Sequence, residues 1–277
     1  MVSNSYDSRE LLKSLGQGVT IDRLCEQQGW SRARFDEWFQ EECEARLHSE
    51  TLAVDGSLDS KVSIARDNYG IPAIYAETTS DLFFAFGVAM AQDRLFQMDF
   101  LRRRGLGQLS ELLGESHLEL DRTARVVGLH RIAESQWHVL DDDVKLILQR
   151  FSDGVNHVIA ESAELPPIEY SILDFPIRPW SPVDSIACEV EFQWYLTGRF
   201  PIICIPEIVR RAVGDTTLYE QFTVGEAEEE AIMPVGSYEP VASSNNEPIG
   251  ETLTLPSEGL GSNNWAVAGS RTASGAP

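Results

Sequence analysis

The sequence is short of positive charge. Its 277 residues carry 22 Lys plus Arg against 44 Asp plus Glu, for a formal net charge of -22. Nucleic acid is held mainly by basic side chains that displace counterions, and no stretch here has a clear excess of them, which excludes a nucleic-acid partner. Cysteine is sparse as well: Cys25, Cys43, Cys188 and Cys204 lie far apart, with no Cys-x-x-Cys pair. That spacing favours free thiols in a reducing compartment over disulfides or a zinc site. No apolar run approaches the length of a membrane span, so no membrane partner is expected. The opening MVSNSYDSRELLKSLGQGVT shows neither a basic n-region leading into an apolar core nor a small-residue cleavage site. The expectation is a cytoplasmic protein, or a periplasmic or secreted one if the true start differs. The familiar catalytic signatures are also missing: there is no His-Glu-x-x-His, no Walker loop and no Gly-x-Ser-x-Gly. The histidines His48, His117, His130, His138 and His157 have no metal-ligand spacing.

What is present is a chain of one or two domains' length with 43% hydrophobic residues. Residues 8 to 47 read as a small all-helical unit. Leu11, Leu12 and Leu15 form one face, Thr20 and Ser31 are placed to cap two further helices, and Phe35, Trp38 and Phe39 line the third. Helix, Gly-containing turn and helix is also the outline of a DNA-reading motif, but residues 1 to 50 hold six Lys or Arg and ten Asp or Glu. Docking or packing is therefore the expected role. From Lys61 a period of two takes over: Val62 and Ile64, a turn at Arg66 to Gly70, then Ala73 to Ala76, predicting two strands about a tight connection. A cap among Thr78, Thr79 and Ser80 opens a long helix with Leu82, Phe83, Phe86, Met90, Leu95, Phe96 and Met98 on its apolar side. Arg102, Arg103 and Arg104 close it, as a salt-bridged or solvated helix end rather than a phosphate site. Helices are predicted over Thr123 to Val139 and Val144 to Ala160, the latter capped by Asp141 to Asp143. The proline-rich stretch from Leu165 to Pro182 predicts a non-helical connector. Asp184 leads another helix to Gly198, and a last short one covers Glu207 to Val213. After about Gly225 the chain becomes acidic and aperiodic, until Asn264 to Ala268 reads as a buried strand.

At that junction stands Gly261-Ser262. Cutting this bond would make Ser262 N-terminal, and a free α-amine with a pKa of about 8 can act as general base for its own hydroxyl without a histidine. A bare Gly-Ser pair fits an ordinary linker serine equally.

Three groups of residues add to this. ARDNYGIPAIYAETTSDLFFAFGVAMAQDRLFQMDFLRRRGLGQLSELLG, the later PWSPVDS, and Gly261-Ser262-Asn263-Asn264-Trp265 followed by Ala-Gly-Ser-x-Thr-x-Ser-Gly-x-Pro occur in that order. In these motifs the chain, from about Lys61 to Pro277, resembles the penicillin acylase family of N-terminal nucleophile hydrolases. The resemblance implies an α+β fold: the mostly helical α-chain part of an αββα hydrolase, stopping after the first β-chain strand, with a small helical unit in front. It divides the chain into a helical extension (1–56), an α-chain region (57–224), an acidic spacer (225–261) and the start of the β-chain (262–277).

The same resemblance implies that Ser262 is the nucleophile, first in self-processing at Gly261-Ser262 and then against the linear amide of an N-acyl substrate. That substrate would be an acylated β-lactam, an acyl-homoserine lactone or a similar compound, and the enzyme a heterodimer with its own β-chain. It implies a structural calcium with Glu207 as one ligand, and Arg199 and Phe200 bordering the acyl pocket. Family oxyanion-hole donors and the other calcium ligands fall beyond Pro277, so the chain as written is expected to be the front of a longer precursor and inactive alone. A non-catalytic α-chain-like interaction protein is the alternative.

Overall fold

The computed structural model describes residues 7–47, 52–53, 58–196, 200–223 and 269–271. It divides between Thr197 and Gly198 into two compact units. In the first unit the opening helices begin where short polar side chains can serve as caps. Asp7, Thr20 and Ser31 each adopt an extended backbone and accept a hydrogen bond from a first-turn amide, starting α1 (Ser8–Gly16), α2 (Ile21–Gln28) and α3 (Arg32–Glu44). Leu11, Leu12, Leu24, Phe35 and Trp38 form a core of their own, completed by Ile168 and Ile172. Those two isoleucines belong to a helix inside the connector, so the opening helices pack onto the rest of the unit. Arg46 Nε reinforces the seam by donating to the Pro166 carbonyl at 2.8 Å.

The expected hairpin is present, as β2 (Ser63–Arg66) and β3 (Pro72–Tyr75), joined by a turn in which Asp67 Oδ1 accepts from the Tyr69 and Ile71 amides. A short β1 (Leu52–Ala53), which the sequence pattern did not suggest, extends it to a three-stranded antiparallel sheet of order β1-β2-β3. Ile64 is buried, and its register partner on β3 is Ile74.

Thr78 caps α4 (Thr79–Leu106), which packs along α8 (Asp142–Glu161). Glycines set the closeness of this crossing. A methyl group on Gly87 would overlap the Phe151 carbonyl of α8, and one on Gly154 would overlap the Phe84 carbonyl of α4. The buried stripe of α4 accordingly runs through Phe84, Ala85, Val88, Ala89 and Ala91 before reaching Leu95 and Met98. This corrects the predicted face: Leu82 and Phe86 are 39% and 43% exposed, because small residues pack closest at the crossing. Asp141 occupies the N-cap of α8 without a side-chain capping bond, while Asp142 and Asp143 lie in its first turn, where negative charge suits the helix dipole.

Between α4 and α8 lie α5 (Leu109–Leu113), a 3-10 turn (Glu115–His117), α6 (Leu118–Val127) and α7 (Leu129–Val139). The single helix expected over Thr123 to Val139 is broken at Gly128, whose φ of 86° is open to glycine but strained for other residues. The connector is not wholly irregular: it contains α9 (Ile168–Leu173), which lies between its prolines. Pro182 is the first residue of α10 (Pro182–Leu196), a position where the missing N–H costs no hydrogen bond. In the second unit the last helix is longer than expected: α11 (Phe200–Val213) accommodates Pro206, and α12 (Thr217–Thr223) follows. A 3-10 turn covers Gly269–Arg271. The spacer and the expected strand at Asn264 to Ala268 lie outside the described residues. Mostly helix with one small antiparallel sheet among the described residues is the α+β class expected.

Candidate functional site

Of the residues singled out from the sequence, Gly261, Ser262 and Arg199 lie outside the described residues. Phe200 is the first residue of α11, with its side chain outside the description. Glu207 sits about two helical turns further on, and its carboxylate is engaged: it accepts from Arg210 Nε at 2.8 Å, Arg210 Nη2 at 3.0 Å and Arg211 Nε at 2.7 Å. Hydrogen bonds from the two guanidinium groups, Arg210 first, bring its pKa down to about 2. Glu207 is thus an ionised hard-oxygen donor, the chemistry calcium prefers. No group of three or more His, Cys, Asp or Glu able to hold a metal occurs among the described residues.

The structure brings together a different set of residues. Asp99, 1% exposed, accepts from Arg102 Nε at 2.7 Å and Arg103 Nε at 3.0 Å through one oxygen, and from the Tyr170 hydroxyl at 2.9 Å through the other. Arg102 reaches on to the Pro179 and Arg178 carbonyls at 2.8 and 2.7 Å and to Asp184 Oδ2 at 3.2 Å, with its guanidinium 4.8 Å from the centre of the Trp180 ring. Arg103 pairs with Glu111, and Arg104 with Glu191. The arginine cluster is therefore salt-bridged, as expected; Arg102 and Arg103 are buried, which the picture of a solvated helix end did not anticipate.

Fully satisfied buried charges of this kind fix one geometry. Here they hold the segment from Phe175 to Asp184 against the end of α4. They do not supply a nucleophile or base. Burial and the neighbouring Asp99 charge raise the Tyr170 pKa, keeping its hydroxyl a donor, and burial pushes the Cys188 thiol up to about 12. Sequence reasoning missed this set, although the spacing of Asp99 three and four residues before Arg102 and Arg103 was a readable helical signal. The partners Tyr170 and Asp184, 71 residues from Asp99 and 82 from Arg102, gave none.

Asp99, Arg102, Arg103, Trp180 and Asp184 of this network lie in the stretches that carry the sequence motifs, and a model of the penicillin amidase family matches residues 61–277. The chain belongs to the penicillin amidase family. Among its relatives, penicillin acylase 2 proenzyme from Pseudomonas sp. (strain SE83) is 32% identical over 239 residues, 83% of this chain and 30% of that protein. Acyl-homoserine lactone acylase QuiP from Pseudomonas aeruginosa is 28% identical over 79% of this chain and 27% of its own length. Penicillin G acylase from Escherichia coli is 35% identical over 45% of this chain and 15% of its own. Among solved structures, the thermostable penicillin G acylase from Alcaligenes faecalis matches 65% of this chain and 98% of the compared chain, with a TM-score of 0.48 and 23% identity. The chain spans less than a third of the length of these curated relatives. Helices α1 to α3 precede the part that the penicillin amidase family model matches. No helix among the described residues is long and apolar enough to cross a membrane.

Proposed function

We propose that this chain carries the processing site and nucleophile of an amidohydrolase acting on the linear C–N amide bond of N-acyl compounds. The observation that carries the reading is the family match over residues 61–277, which runs through Gly261 and Ser262. In self-processing, Ser262 Oγ attacks the Gly261 carbonyl carbon, the Gly261–Ser262 C–N bond breaks, and an ester forms to Oγ. Water then cleaves the ester, leaving a carboxylate on Gly261 and a free amine on Ser262. Glycine suits the attacked position because it has no side chain to crowd the carbonyl. In the second reaction the amine accepts the Ser262 hydroxyl proton, directly or through a water. Oγ attacks the substrate amide, the amine product leaves with a proton, and water releases the acid from the acyl-enzyme.

The relatives named penicillin acylase and acyl-homoserine lactone acylase support an N-acylated small molecule as the substrate class. On this reading Arg199 and Phe200 border the acyl pocket, the part beginning at Ser262 stays bound as the β-chain of a heterodimer, and Glu207 gives up arginine contacts to supply one oxygen to a structural calcium. A second reading is a non-catalytic interaction protein of α-chain type, which keeps the helical part and leaves Ser262 unused.

Mass spectrometry of the expressed chain separates the two. A new N-terminus at Ser262, absent in Ser262→Ala, is expected. An intact chain that persists through long incubation would sink self-processing.

A further inference from the structure

A cleft of about 570 Å³ lies between the turns around α5 to α7 and the segment leading into α10, lined by Arg125, His130, Glu134, Arg178 and Asp184 with an apolar wall that includes Leu106 and Val183. Its charged groups are unequally occupied. Asp184 is taken, accepting from Arg102, Arg178 and the Ser181 amide. Arg102, held also by Asp99, and Arg178 both draw on that carboxylate, and Arg178 Nη1 donates to Gln108 Oε1 at 2.8 Å. Burial followed by the Arg102 charge lowers the Arg178 pKa, so a further anion beside it would be favoured. Arg125 donates from Nε to the Gly107 carbonyl at 2.7 Å and has no other hydrogen bond or ion pair among the described residues. His130 Nδ1 is buried with no hydrogen-bond partner.

We infer that this cleft binds a small organic carboxylate, with Arg125 and Arg178 on its head group and the apolar wall against its body. Two guanidinium groups match a carboxylate in shape and in donors. Turning the His130 ring about χ2 offers the head group an imidazole N–H and gives a partner to a ring that lacks one. Glu134 lies one turn after His130 and opposes an anion, which makes it the discriminating residue. The inference involves residues 106 to 184 only and concerns binding, so it stands or falls independently of Ser262.

The test is calorimetric titration of the full 277-residue chain with hexanoate, with hexylammonium and inorganic phosphate alongside. Saturable binding of hexanoate is expected, weakened about tenfold or more in Arg125→Gln, as for loss of a charge-assisted hydrogen bond. It should tighten in Glu134→Gln, where a repelling charge is gone. Hexylammonium or phosphate binding as tightly as hexanoate overturns the carboxylate assignment. Absence of saturable hexanoate binding, or affinity unchanged in Arg125→Gln, overturns the site. Should Arg125→Gln fail to fold for want of its Gly107 contact, the exposed Glu134→Gln decides alone: binding unchanged or weaker there overturns the inference.

Discussion

Among single residues, Tyr170 and Glu207 show how the same pairing of charge and hydrogen bond differs with burial. The Tyr170 hydroxyl is the partner of one oxygen of a carboxylate that water does not reach. Tyr170→Phe leaves that oxygen without its donor, and a loss of about 1–3 kcal/mol is expected, measurable as a lower denaturation midpoint with an unchanged slope. Glu207 is half-buried at a site that water reaches, and its effect shows in titration instead. Its folded pKa of about 2 lies below the ordinary 4.5, so the pairing contributes fully above 4.5 and is lost as pH falls through 2. A carboxyl titration by NMR should find its midpoint near 2, rising toward 4.5 when Arg210 and Arg211 are both replaced by Gln. High salt should move it the same way, because solvent-exposed pairs are screened.

At the scale of elements, the contact between α4 and α8 depends on having no side chain at two places. Gly87 and Gly154 each face a backbone carbonyl of the other helix, and neither carbonyl can yield as a flexible side chain would. Gly87→Ala and Gly154→Ala should therefore each destabilise by about 1–3 kcal/mol through overpacking, although alanine is the better helix former. The double variant should cost less than the sum, since one shift of the helices relieves both overlaps. Thermal or denaturant unfolding of the three variants measures this. The same reciprocity explains why the apolar face of α4 was misjudged from sequence. Large residues such as Phe86 look like core, yet the closest packing goes to the small ones.

At the scale of the molecule, the opening helices close their own core with Ile168 and Ile172, side chains borrowed from α9. Removing residues 1 to 47 would uncover that apolar face while leaving the family-matched part intact. The shortened chain is expected to melt at a lower temperature and to bind a hydrophobic dye that the full chain does not, as followed by thermal scanning and dye fluorescence. A truncated chain as stable as the full one would show that the seam adds nothing. The buried Asp99, Arg102 and Asp184 network works over a comparable span, fastening the end of α4 to the start of α10.

Local signals were legible wherever the physics is local. Thr20, Ser31 and Thr78 cap helices because a side-chain oxygen reaches an amide three residues on, and Asp67 to Gly70 turn because an Asx bond and a glycine suffice. Family membership was legible for a similar reason: motifs occupy short stretches, including the Gly261-Ser262 pair on which the proposed chemistry rests. The helix inside the connector and the true face of α4 were decided by tertiary packing, whereas the break at Gly128 is a local glycine cap that the periodicity overran. Periodicity records which residues are apolar and does not record which neighbour approaches them. The partners of Arg102 likewise depend on the fold, since a charge pair across 82 residues exists only once the chain has brought them together. The sequence by itself thus determined the caps, the turn and the kinship; the tertiary structure alone decided which charges are buried together and which line a common cleft.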